Sequence, residues 1–290
     1  MIKYNFEGIG THWEIDINQE ISKHQEEEIL SKIKDRIEIF DKNYSRFRED
    51  SLVTEMSRKE GVYLLPPDAD LIMNLYKAVY DVTNGLVTPL IGKTLVQAGY
   101  DQNYTLIKGE MTSPKPWNEL LDWSSPNLTV KEPALLDFGA AGKGYLVDIV
   151  SNILEEEGVT NYCVDASGDM RYRKKNFESL KVGLEDPNDE NRVVGVVNLM
   201  NKSLCGSSGS RRKWADMHHI INPETLSSPR EIIAIWTIAE TTMLADILTT
   251  CLFFVSPEKL NQFFKFEYLI LNEEYWITKS SGFDAEIFIG

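Results

Sequence analysis

Residues 12–17 alternate, with Trp13, Ile15 and Ile17 on one face and polar residues between them. This period of two predicts a half-buried strand. The period then changes. From about 19 to 44, apolar residues fall at Ile29, Ile33, Ile37, Phe40 and Tyr44, a helical stripe whose acidic remainder makes a solvated face. A second helix is predicted in "PPDADLIMNLYKAVYDVTNG". Proline and aspartate stand at its start, Leu71, Leu75, Val79 and Val82 turn inward, and Gly85 follows its end. Residues 100–133, rich in Pro, Ser, Asn and Trp, read as strands joined by loops.

Beyond them the pattern predicts a helix over about 142–157, ended by Gly158, and a strand in "NYCVDA". "SLKVGLEDP" and "NRVVGVVNLMNKSLCGSSG" supply further strands, with a turn at Asp186-Pro187. A helix over about 241–255 follows, and "EYLILN" and "EYWITK" read as closing strands. Helices and strands are intermixed, with no repeat and no linker between them. An α+β fold with non-adjacent strand pairings, in one domain, is the expectation.

Composition narrows the function classes. At 290 residues the chain can bury a substantial core. Its 45 acidic against 30 basic side chains give a formal charge of −15, which argues against general nucleic-acid binding. A polyanionic ligand would therefore need local positive charge from a helix end, a lysine or a metal ion. Cys163, Cys205 and Cys251 are widely spaced and odd in number, which fits a reducing compartment better than a disulfide framework or a zinc site. The start, "MIKYNFEGIGTHWEIDI", has no apolar export-signal core, and the apolar stretch around 243–255 is too short to span a bilayer. A soluble, cytoplasmic protein is expected, although trimming of an export signal would leave the same start.

Three stretches carry chemistry. "DFGAAGKGYLVD" (137–148) runs from an aspartate through small residues and Lys143 into a helix, and such a loop presents free N–H groups and a positive helix end to a phosphate. It reads equally as a tight strand-to-helix turn. "ETTMLADILTTCLFFV" places Asp246 among apolar residues with Thr250 four positions on, so a carboxylate and a hydroxyl share one helical face. That pair suits Mg²⁺, and the alternative is a buried aspartate satisfied by Thr242, Thr249 or a backbone N–H. "MHHIINPET" holds His218 and His219, which point to opposite faces in a strand, so at most one enters a given pocket. "VDASGDM", with Asp169, and "CGSSGSRRK" add two glycine-serine turns, and Arg211, Arg212 and Lys213 read as a solvated patch open to an anion contact.

The order of these motifs resembles the FAD:protein FMN transferases, the ApbE-type flavin transferases, over nearly the whole chain. "IGTHWEI", the Ser-x-aromatic segment in "YSRFREDSLVTEMSR", "TNGLVTPLIG", the lysine loop, "DASGDM", "SSG", "HHIINPET" and "LADILTTCLFF" each resemble a segment of that family, in its order. The resemblance implies an α+β, T-fold-like single domain over 1–290, made of two interlocked lobes with mixed or antiparallel sheets and an FAD cleft between them. Phe47 and the backbone of Leu86, Val87 and Thr88 would border the flavin or adenine, with Gly10 and Thr11 nearby. Asp137 would hydrogen-bond FAD, Lys143 would approach it and Ile220 would pack on it. Mg²⁺ would be held by Asp246, Thr250 and the Ala140 carbonyl, and His219 rather than His218 matches the family's histidine.

The implied activity is Mg²⁺-dependent transfer of the FMN half of FAD to a threonine or serine hydroxyl of an acceptor flavoprotein, with release of AMP. His219 and Asp246 are the candidate catalytic groups. The same site with water as acceptor would make an FAD pyrophosphatase, and without turnover an FAD store. The chain departs from the family pattern at Ile9, at Phe47 (often tyrosine), at Ala140 and Ser167 in the two double-glycine turns, at Asn222 before Pro223, and at Leu226, where the family has glycine.

Overall fold

Trp13, Ile15 and Ile17 do point to one side of a strand, and all three are fully buried. That strand belongs to the large sheet around which the chain is built. The computed structural model describes residues 2–210 and 212–288. In chain order come strands β1 (Ile2–Gly8) and β2 (Thr11–Ile17), helices α1 (Lys23–Tyr44) and α2 (Leu52–Met56), and strand β3 (Gly61–Leu64). Helix α3 (Ala69–Thr83), a single 3-10 turn (Pro89–Ile91) and helices α4 (Gly92–Gln97) and α5 (Trp117–Leu120) lead into strands β4 (Leu121–Ser124) and β5 (Asn127–Val130). Helix α6 (Gly142–Glu156) precedes β6 (Tyr162–Asp165), β7 (Met170–Arg173), β8 (Leu180–Asp186), β9 (Asp189–Leu199) and β10 (Ser203–Ser208). The rest is β11 (Lys213–Trp214), β12 (Met217–His218), β13 (Ile232–Ala239), α7 (Thr242–Cys251), α8 (Pro257–Leu260), β14 (Glu267–Asn272), β15 (Ile277–Lys279) and β16 (Ala285–Ile287).

The large sheet has the order β1-β2-β6-β7-β10-β13-β14-β15, and every neighbouring pair is antiparallel. Its two faces feed two cores through the period of two. On β10, Cys205 joins the core with α6 and α7, and Leu204 joins the opposite one. On β13, Ile235 takes the first side, and Ala234, Trp236 and Ile238 the second. The second core is closed by the antiparallel sheet β16-β9-β8 through Leu184, Val194, Val197 and Leu199. Small sheet, large sheet and helices therefore stack as layers, and the helix side holds the chemistry.

Helix α1 begins where Ser22 accepts the N–H of Gln25 at 3.2 Å, a side-chain cap. Its predicted stripe is buried at Ile29, Ile33, Phe40 and Tyr44, with Ile37 partly buried. Helix α3 bears out Val79 and Val82 as inward but corrects the first half of its expected face. Leu71 is 60% exposed and Leu75 only partly buried, and the inward face is Ile72, Met73, Tyr76, Val79 and Val82. Two adjacent apolar stripes compete on this helix, and its packing against α7 selects the second.

Residues 100–116 hold no helix or strand, and the strands expected across 100–133 are confined to β4 and β5. Strands β1, β3, β7, β11, β13 and β16 lie outside the segments that the pattern marks as strands. Helix α7 stops at Cys251, short of residue 255. No helix among the described residues is long and apolar enough to cross a membrane.

Candidate functional site

Helices α6 and α7 cross where Gly144 faces Asp246. A Cβ on Gly144 would stand 2.4 Å from the Thr242 carbonyl oxygen and 2.7 Å from the Asp246 Cβ, so only glycine lets the helices meet this closely. The approach lets the Gly144 N–H donate to Asp246 Oδ2 at 2.8 Å. Asp148, one turn further along α6, accepts the Thr242 and Met243 N–H groups at 2.8 Å each, capping the start of α7. Arg171 pairs with the same carboxylate at 3.3 Å. Both aspartates of "GKGYLVD…LAD" thus fix one helix against the other.

A cleft of about 460 Å³ opens at this crossing, in the usual range for a small-molecule site. Asp246, Thr250, Ala140 and Lys143 line one part of it. Phe47, Leu86, Val87 and Thr88 line another, and Thr11, Asp137, His219 and Ile220 also contribute. Residues predicted from segments up to 239 positions apart are therefore brought together. Gly10 is the exception: it turns between β1 and β2 with a φ of 72°, beside Thr11 but outside the wall. His219 lines the cleft and His218 lines a second cavity, but His219 lies in a bend just past β12 and the two rings meet edge to face with centroids 6.2 Å apart, so strand alternation is not what separates them. Arg212 lines the cleft as well, and Arg211 lies outside the described residues.

The charges here are confined by burial. Lys143 Nζ donates to the Ala166 carbonyl at 3.0 Å and pairs with Asp169 Oδ2 at 2.9 Å. Burial by itself would lower the Lys143 pKa, but Asp169 and Asp246 outweigh it and the net shift is upward. Burial pushes the Asp246 carboxyl well above the usual range, and the nearby Asp169 charge adds to this. Burial lowers the His219 pKa to about 3, helped by Arg212, so the ring is neutral at pH 7. Its Nδ1 is enclosed and has no hydrogen-bond partner among the described residues.

The hydrogen bond from Gly144 realises the structural alternative foreseen for Asp246, but it uses only Oδ2. Oδ1 has no donor among the described residues, and Thr250 follows one turn on, in the same cleft. No three His, Cys, Asp or Glu side chains cluster as a metal site among the described residues. A set of one carboxylate, one hydroxyl and one peptide carbonyl is nevertheless a hard-oxygen set that leaves positions for water and phosphate, as Mg²⁺ prefers. A desolvated carboxylate with one free oxygen fits such a cation.

The sequence pattern of the ApbE family matches residues 9–270. The chain belongs to the ApbE family. Its relatives include the FAD:protein FMN transferase of Escherichia coli K12, 25% identical over 93% of this chain and 82% of that protein. The FAD:protein FMN transferase of Haemophilus influenzae is 30% identical over 51% of this chain and 46% of that one. Among solved structures, the ApbE protein of Thermotoga maritima superposes with a TM-score of 0.86 at 20% identity, covering 98% of this chain and 99% of that one. The flavin transferase ApbE of Vibrio cholerae gives 0.80 at 17% identity, covering 97% of each. At these identities the structures show a shared fold.

The departures from the ApbE pattern take on a physical meaning here. Ser167 and Leu226 sit at φ of 52° and 54°, the left-handed region that favours glycine. The chain keeps that backbone path with side chains at a cost of about 1–2 kcal/mol each. Ala140 needs no such conformation, so its replacement of glycine is free of that strain.

Sequence reasoning missed Arg46 and Tyr100. Tyr100 lines the cleft, and Arg46 lies behind its wall. The signal for Arg46 was available in "YSRF", where a charged residue stands between aromatics at the end of an apolar stripe. Tyr100 stands in a loop with no periodicity to mark it.

Proposed function

We propose that this chain, as one domain over 1–290, transfers the FMN half of FAD to a threonine or serine hydroxyl of an acceptor flavoprotein and releases AMP. One observation carries the reading: a single cleft joins an oxygen-ligand and anion-binding part, with Asp246, Thr250, Ala140 and Lys143, to an apolar part around Phe47, Val87 and Ile220. A ring system and a diphosphate are what such a cleft accommodates. The family membership and the relatives named FAD:protein FMN transferase support the choice of FAD.

Asp246, the Thr250 hydroxyl and the Ala140 carbonyl would hold Mg²⁺, which when bound supplies neutralisation of the diphosphate charge. Lys143 and the positive end of α6 would add favourable charge for the diphosphate, although the N–H groups of Gly139, Ala141, Gly142 and Gly144 are already donated to Asp137, Phe138 and Asp246. The acceptor hydroxyl oxygen attacks the phosphorus of the FMN half. A new P–O bond forms, the bond to the AMP phosphate oxygen breaks, and AMP departs. The hydroxyl proton passes to the neutral His219 ring or to the Asp246 carboxylate, both of which line the cleft.

The test incubates the protein with FAD, Mg²⁺ and a candidate acceptor flavoprotein, then seeks flavin fluorescence that survives denaturing electrophoresis. Labelled acceptor is expected. Free FMN and AMP without labelled protein would mean that water is the acceptor, and unaltered FAD would mean storage. Asp246→Ala removes the one charged metal ligand and is expected to abolish labelling. Wild-type rates in that variant at saturating FAD would take Asp246 out of the mechanism.

A further inference from the structure

Arg46 is a buried charge that the transfer reaction leaves unused. Its side chain is 2% exposed, yet it reaches three residues of the cleft wall that come from three separate segments. Its Nε donates to Asp137 Oδ2 in an ion pair. Its Nη1 donates to the Tyr100 carbonyl at 2.8 Å. The guanidinium carbon lies 4.1 Å from the Phe47 ring centroid and 4.8 Å from that of Tyr100. Asp137 Oδ1 meanwhile accepts the Gly139 N–H at 2.8 Å, so both carboxylate oxygens are engaged and tied to the loop before α6.

The two rings are braced in turn. Phe47 stacks on Tyr104 with centroids 5.5 Å apart and planes within 3°, and Tyr100 stacks on Trp214 at 5.8 Å and 20°. The remaining amine of Arg46, Nη2, has no acceptor among the described residues. Burying an ion pair is a weak source of stability, because desolvation offsets the attraction. An apolar side chain would fill the same space without that cost. What arginine adds is geometry: a planar fork that serves two acceptors while lying against two rings, which a lysine ammonium cannot do.

We propose that Arg46 is a positioning residue that locks Phe47, Tyr100 and Asp137 into one face for a planar ring of the dinucleotide. It acts on ligand affinity and leaves the chemical step alone. The inference rests on the proposed function in taking FAD as the ligand.

The experiment compares wild type, Arg46→Lys and Arg46→Met by the FAD dissociation constant, read from flavin fluorescence quenching, and by steady-state transfer to an acceptor. Arg46→Met is expected to raise both Kd and KM for FAD by about tenfold or more, with kcat within about threefold of wild type. Arg46→Lys, which keeps the charge and loses the fork, should recover part of that affinity. Thermal melting identifies a variant that does not fold. If Arg46→Met is such a variant, Arg46→Lys carries the test with an expected affinity loss of about threefold or more.

An unchanged Kd in the folded variant overturns the proposal, as does a lowered kcat with unchanged KM. A wild-type chain that fails to bind FAD overturns both this proposal and the functional reading. A wild-type chain that binds FAD without transferring FMN overturns the transferase reading alone, and the affinity comparison still decides the role of Arg46.

Discussion

Gly144→Ala tests the helix crossing on which the site depends. The added Cβ meets a backbone carbonyl oxygen at 2.4 Å and the root of the Asp246 side chain at 2.7 Å, and neither is the loose end of a flexible group. Reaching even 3.0 Å from that oxygen requires the helices to part by at least about 0.6 Å. Overpacking of this kind costs about 1–3 kcal/mol. Alanine returns about 1 kcal/mol as a better helix former than glycine. The net loss of about 0–2 kcal/mol lowers the melting temperature by only a few degrees in a chain of this size.

Activity should fall much further. Parting the helices stretches the 2.8 Å bond from Gly144 to Asp246 and shifts the carboxylate within the cleft. A displacement approaching 1 Å costs on the order of a hundredfold in rate. The assay pairs calorimetric melting with initial rates of flavin transfer at saturating FAD. Gly158→Ala is the control: its φ is 76° and its Cβ would meet nothing within 4 Å, so it carries backbone strain of about 1–2 kcal/mol without disturbing the crossing. A Gly144→Ala protein with wild-type rates would refute the claim that this contact seats Asp246.

Other outcomes follow from burial. His219 stays neutral in the folded chain down to about pH 3, whereas in the unfolded chain it takes up a proton near 6.5. Between those values the unfolded state binds more protons, so stability falls as pH drops, by about 2 kcal/mol from pH 7 to pH 5. His219→Gln should remove that part of the slope in denaturant titrations at the two pH values, and an unchanged slope would mean that the ring is not desolvated. On α3, Leu71→Ala should change stability by less than about 0.5 kcal/mol, and Ile72→Ala should cost about 2–4 kcal/mol. The reverse order in urea unfolding would restore the inward face predicted from the stripe.

Some elements were legible because a single periodic pattern dominated them. The strand of Trp13, Ile15 and Ile17 and the helix of Ile29, Ile33 and Phe40 are cases with one apolar face and a polar remainder. Helix α3 misled for the opposite reason: it is apolar on two neighbouring stripes, and the choice between them lies in what packs on it. Strand β13, "IIAIWTIA", is nearly continuous in apolar residues because both faces are covered, so it offers no alternation to read. Of the site, the lysine loop, the Asp246–Thr250 pair and the histidine pair could be found, since each has its own local spacing.

The sequence by itself placed the chain in the ApbE family and marked candidate residues, most of which line one cleft. The histidine pair marks the limit of that reading: strand alternation predicts opposite faces, but His219 lies just past β12 and its ring stands 6.2 Å from that of His218. Tertiary structure alone decided that Gly144 admits Asp246 to the start of α6, that burial lowers the pKa of both histidines, and that Arg46 ties Asp137 to Phe47 and Tyr100. Those are contacts between segments as many as 102 residues apart. Local spacing fixes a side chain's direction on its own element, but desolvation and close approach depend on what the rest of the chain brings against it.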